Sequence, residues 1–222
     1  MAGDKTFAEF TANLLFNLGN RSDLDTEAPD WVNRAYRTLY SMKKFGGRTV
    51  YFPELETSSA ANTVDGTAYV ATPADCLFIH TVDDTTSDAK LMGIAMWDDY
   101  IRYKGRADTD AEGPPRKWVR HGASIYLYPT PDAVYALKVY YRKRPVELTG
   151  TNTTVIGPEW DEPILLLATY QSMLRLNEFD KAKAFKEEWM SAMNDLVGIY
   201  DAEDMDKRSI RYPNAFWVKN TY

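Results

Sequence analysis

The chain has 222 residues, 45% of them hydrophobic and 26% charged, enough for one large domain or two small ones and too apolar for general disorder. A net charge of -6 excludes a surface that is basic throughout, the footprint of a nucleic-acid binder. No apolar run approaches the roughly 20 residues that span a bilayer, and an N-terminus carrying Asp4, Lys5 and Glu9 does not read as a signal peptide, so a soluble protein is expected.

Thr6-Phe7-Ala8-Glu9 is a capping box, and Phe7, Phe10, Leu14, Leu15 and Leu18 follow at helical spacing until Gly19. A second helix is expected from Asp25 or Thr26, with Pro29 in its first turn, Trp31, Ala35, Leu39 and Met42 as its stripe, and Lys43, Lys44 and Gly46 at its close. From Arg48 the period changes. Arg48–Phe52, Thr67–Ala71 and Cys76–Val82 read as short strands. Cys76 is the single cysteine, a small core residue with no disulfide partner, so a reducing, cytoplasmic site of assembly suffices. Ile94–Tyr103 reads as a short helix with Trp97, Tyr100 and Ile101 on one side. Ser124–Tyr128 and Val134–Tyr141 are expected to form a hairpin through Pro129-Thr130-Pro131-Asp132. After Pro158 a helix is expected over Ile164–Leu176, and a last one from Lys181 to about Asp201 with Phe185, Trp189, Met193 and Leu196 inside.

The fold class is therefore α+β. Residues 1–46 and 158–205 make a helical module of two hairpins from both chain ends, 47–157 form an inserted β-rich antiparallel module, and 206–222 form an extended C-terminal tail. Aromatics reach 14%, with 15 Tyr and 6 Trp, which suits protein interfaces and β-rich cores alike.

Chemistry finds little purchase. His80 and His121 lack HxxxH or HxxE spacing, and no GxSxG, Walker-type or dinucleotide-binding glycine pattern occurs. Asp108 to Gly113 imitates the start of a calcium loop, but its twelfth position is Val119 and Pro114-Pro115 forbid the helix that should follow. Asp83-Asp84 point to opposite faces of a strand, and Asp98-Asp99 lie on a helix surface. No catalytic, cofactor-binding or metal-binding residue is assigned. Arg142-Lys143-Arg144, with Arg116, Lys117 and Arg120 and the nearby Tyr140, Tyr141 and Trp118, reads as solvated strand ends, or as salt bridges to an acidic neighbour, in preference to a nucleic-acid strip.

The segment from Asp206 turns basic at Lys207, Arg208 and Arg211, breaks at Pro213-Asn214, and gathers Tyr212, Phe216, Trp217 and Tyr222. Burying those four aromatics gives about 15–25 kcal/mol. Ordering about 17 residues costs roughly 25 kcal/mol. The tail is thus expected to dock on another chain, with packing on its own protomer the alternative.

Trp31, Ala35 and Tyr36 on a helix, Thr72-Pro73-Ala74-Asp75, Gly113-Pro114-Pro115-Arg116, Tyr128 to Asp132, and Tyr135 to Tyr141 leading to Pro145-Val146-Glu147-Leu148-Thr149 resemble the head-to-tail adaptor proteins of short-tailed bacteriophages. Cys76-Leu77 departs from that pattern, where a bulky aromatic is expected. The resemblance spans Trp31 to Tyr200. It implies a dodecameric ring between the portal protein and the tail nozzle protein, located in the virion at the head–tail junction, with DNA passing through its lumen without specific binding. It also implies that the C-terminal extension, with Arg208, Arg211, Tyr212, Phe216, Trp217 and Tyr222, reaches the portal. The alternatives are a virion-associated carbohydrate-binding module or glycosidase using Trp97 and Trp118, and a nucleic-acid binder using Arg142 to Arg144.

Overall fold

The computed structural model describes residues 4–105 and 111–211, with side chains described through Ile199. Helix α1 covers Phe7–Asn17 and α2 Ala28–Ser41, followed by strands β1 (Lys44–Phe45), β2 (Arg48–Thr49), β3 (Glu56–Asn62), β4 (Tyr69–Ala71) and β5 (Cys76–Asp84). Next come β6 (Ala89–Lys90), β7 (Met92–Gly93), α3 (Trp97–Gly105), β8 (Lys117–His121), β9 (Ser124–Tyr128), β10 (Ala136–Lys143), α4 (Asp161–Arg175) and α5 (Phe179–Arg211). This is an α+β chain. It divides into two compact units, Met1–Glu54 with Val146–Tyr222, and Leu55–Pro145.

In the helical unit, the capping box opens α1. The Thr6 amide donates to Glu9 Oε2 at 2.7 Å, and the Glu9 amide donates to Thr6 Oγ1. Gly19, at φ +83°, closes it: its amide meets the Phe16 carbonyl while the Asn20 amide meets that of Leu15. Asn177 does the same for α4 at φ +60°, with its amide on Leu174 and the Glu178 amide on Met173. The α2 stripe buries Trp31, Val32, Ala35, Tyr36 and Leu39. The backbone after α2 turns back at once in a two-residue ribbon, β1–β2, so the strand expected over Arg48–Phe52 shrinks to Arg48–Thr49.

Helix α5 runs to Arg211, past the expected end near Asp201 and into the segment expected to be extended. Glu203 with Lys207 and Asp204 with Arg208 stand four residues apart, a spacing that favours continued helix, and the cations fall at the C-terminal end of the helix dipole. On its inner stripe Met193 is fully buried, and Phe185, Trp189 and Leu196 are half-buried.

The inserted unit holds two four-stranded sheets, ordered β3-β10-β5-β6 and β4-β9-β8-β7. All pairs are antiparallel except β7 with β8. Only Leu91 separates β6 from β7, so one extended segment serves both sheets. Val82, Leu91, Ile125, Leu127, Leu137 and Val139 fill the core of the unit.

The expected hairpin is corrected here. β9 pairs with β8 through Gly122-Ala123 and with β4, whereas β10 lies in the other sheet between β3 and β5. Gly122, at φ +59°, allows the two-residue turn. Pro129 and Pro131 donate no N–H, and the Thr130 amide turns away to the Ala111 carbonyl.

Candidate assembly surfaces

The charged centre of the inserted unit is built by strand register. Glu56 and Arg142 face each other across β3 and β10, and Arg142 Nε donates to Glu56 Oε1 at 3.0 Å. Arg142 is only 2% exposed. Its guanidinium lies over the Phe78 ring, 4.7 Å from the centroid, while His80 Nε2 meets the second Glu56 oxygen at 2.6 Å. At Arg142 the ion-pair form of the expected reading is the one found, since the side chain is withdrawn from the surface onto Glu56, and Arg120 donates to the Leu77 carbonyl at 2.8 Å. Of Arg142-Lys143-Arg144, only Arg144 is fully exposed.

The Thr72-Pro73-Ala74-Asp75 turn anchors the end of β10. The Cys76 amide closes the turn on the Pro73 carbonyl, Arg144 donates its amide to the Asp75 carbonyl, and Tyr141 donates its hydroxyl to Asp75 Oδ1 at 2.8 Å. Burial, then the Asp75 hydrogen bond, pushes the Tyr141 hydroxyl up to about 12. Asp84 is buried and accepts from the Thr86 and Ser87 amides, so this carboxylate closes a turn. Trp97 stacks on His121 at 4.1 Å and on Tyr100 at 4.9 Å. These contacts place His121 and Trp97 in aromatic packing. Ile101, expected on the same side, is 48% exposed.

In the helical unit the Asp161 carboxylate accepts the Asp4 and Lys5 amides at 3.0 and 2.9 Å, pinning the start of the chain to α4. Burial raises its pKa despite those bonds. Asn33 clamps Leu148, donating to its carbonyl and accepting its amide.

The unit surfaces carry two open clefts of interest. One, of about 340 Å³ in the inserted unit, is lined by Met92, Asp99, Arg102, Tyr103 and Lys117 among others. Met92 and the neighbouring Met96 are 58% and 67% exposed. The other, of about 460 Å³ between α4 and α5, presents Glu159, Glu162, Glu188 and Asp195 with no cation in its lining. The sequence reading missed this acidic groove. Glu159 with Glu162 and Glu188 with Asp195 stand three and seven apart, a helical-face spacing that sequence alone displays. Among the described residues no cluster of His, Cys, Asp and Glu has a metal-holding arrangement, and no helix is long and apolar enough to cross a membrane.

The residues assigned to docking fall at the margin. Arg208 and Arg211 lie on the last turns of α5, and Tyr212, Phe216, Trp217 and Tyr222 lie outside the described residues, as do Asp108 and Asp110. A comparison with curated proteins finds no match. A family model described as SU10 adaptor protein matches residues 5–215, spanning both units. The chain therefore belongs to the SU10 adaptor protein family, a family of phage head–tail adaptors, structural proteins of the virion at the head–tail junction.

Proposed function

We propose that the chain assembles into a dodecameric ring that joins the portal protein to the tail nozzle protein and continues the DNA channel. The family match over residues 5–215 carries this reading. In the ring, DNA passes through the lumen without specific binding, and a net charge of -6 suits a wall that repels a phosphate backbone. The C-terminal segment docks on the portal through Arg208, Arg211, Tyr212, Phe216, Trp217 and Tyr222. Its supports are compositional: cations at the end of α5, then four aromatics that a short segment buries best on a second surface. A ring engages many such tails at once, which multiplies a weak single contact. Assembly takes place in the host cytoplasm.

The test is electron microscopy of the purified chain mixed with portal particles. Twelve copies in a ring below the portal are expected; portal particles without added density overturn the reading. Truncation after Arg211 leaves α5 whole and is expected to keep the protomer folded while abolishing attachment. Attachment that survives removes the tail aromatics from the mechanism.

A further inference from the structure

The strands of the inserted unit treat their edges unequally. β4 is three residues long and runs into Pro73. β6 and β7 have two residues each, and Lys90 stands on the first. The outer edge of β5 is met by Arg120, which donates to the Leu77 carbonyl. Short length, a proline, a lysine and a capping guanidinium all discourage an edge from pairing with another chain.

β3 has none of these protections. It pairs with β10 along all seven residues without a register shift, and no strand lies on its other side among the described residues. The Thr63 amide donates to the Tyr135 carbonyl at 3.0 Å, which sets the alternation. Thr57, Ser59 and Ala61 turn their backbone groups toward β10, and Glu56, Ser58, Ala60 and Asn62 turn theirs outward. Only the Ser59 hydroxyl, 3.4 Å from the Ala60 carbonyl, reaches these outward groups among the described residues. The exposed side chains of the strand are Ser58, Ala60 and Asn62, small and uncharged.

We propose that β3 is a pairing edge for a second copy of this chain, the two strands meeting antiparallel about a two-fold axis at Ser59. The edge is self-complementary. About that axis Glu56 faces Asn62 of the second copy, Ser58 faces Ala60, and Ser59 faces its own equivalent, so no like charges oppose one another and no bulky side chain must move. A foreign strand finds small, neutral side chains with no pocket to select it, whereas a second copy matches by symmetry. A few backbone hydrogen bonds over little buried area make a reversible pair, formed by the free protein at high concentration. Pairing hides an edge that would otherwise nucleate aggregation before assembly.

Sedimentation of the full-length chain over a concentration series tests this. A monomer–dimer equilibrium is expected. Ala60→Pro removes one outward N–H and leaves the bonds to β10 in place, so it is expected to shift the equilibrium about tenfold toward monomer. Ser58→Cys with Ala60→Cys is expected to cross-link two copies on oxidation, since Cys76 is buried. A monomer at every concentration overturns the proposal, as does a dimer that Ala60→Pro leaves unmoved. Should Ala60→Pro fail to fold, hydrogen exchange of the unaltered chain decides: the Ser58 and Ala60 amides must lose protection on dilution, and constant protection overturns the pairing. The chain truncated after Arg211 is expected to retain the dimer, so failure here is separable from failure of portal docking.

Discussion

Arg142 sits among strands with almost no access to water, and Glu56 supplies the opposite charge that makes such a site tolerable. Glu56→Ala is expected to cost roughly 2–4 kcal/mol in chemical denaturation. Arg37→Ala, at the exposed pair with Glu147, is expected to cost less than about 1 kcal/mol. Equal costs would show that burial of Arg142 does not depend on its carboxylate. Two phenols give a pH signature. Burial pushes Tyr36 up to about 12, as it does Tyr141, whereas an unfolded tyrosine titrates near 10. The folded chain holds these protons more tightly, so the contribution is complete below about pH 10 and falls away as the pH rises toward 12. The denaturation midpoint is expected to drop across that window, and Tyr141→Phe to flatten part of the drop. Sequence allowed a salt bridge at Arg142 but could not name its partner, because Glu56 lies 86 residues away.

At the scale of elements, the helices were legible and the sheets only half so. A capping box announces α1 and a 3.6-residue period announces α2 and α4 locally, since a helix closes its hydrogen bonds within itself. Strands answer to partners far along the chain. β3 reads Glu-Thr-Ser-Ser-Ala-Ala-Asn, a composition poor in β-branched and aromatic residues, and it is a strand because β10 holds it as one. The same non-locality misassigned β9 and β10 to one hairpin: their patterns were right, but Pro129 and Pro131 carry the chain between sheets and Gly122 makes the tight turn. The acidic groove between α4 and α5 was missed although the hairpin and the spacing were both legible, because the rotation that sets which flanks of two packed helices face each other is fixed by side-chain packing. Asn33 shows how a side chain can stand in for a strand. Asn33→Ala leaves both backbone groups of Leu148 without the amide, and a loss of about 1–3 kcal/mol is expected in thermal or denaturant unfolding.

For the whole molecule, the docking reading separates folding from attachment. Trp217→Ala is expected to leave the melting temperature unchanged while weakening capture by portal particles about tenfold or more. A fall in melting temperature with capture intact would place that ring on its own protomer. The inserted unit has its own consequence. It starts at β3 and finishes at β10, and Glu56 and Arg142 stand opposite each other there. Opposed residues in such a pair are only about 4.5–5.5 Å apart. Leu55 to Pro145 therefore leaves and rejoins the chain of the helical unit through two neighbouring strands, the geometry of an inserted unit.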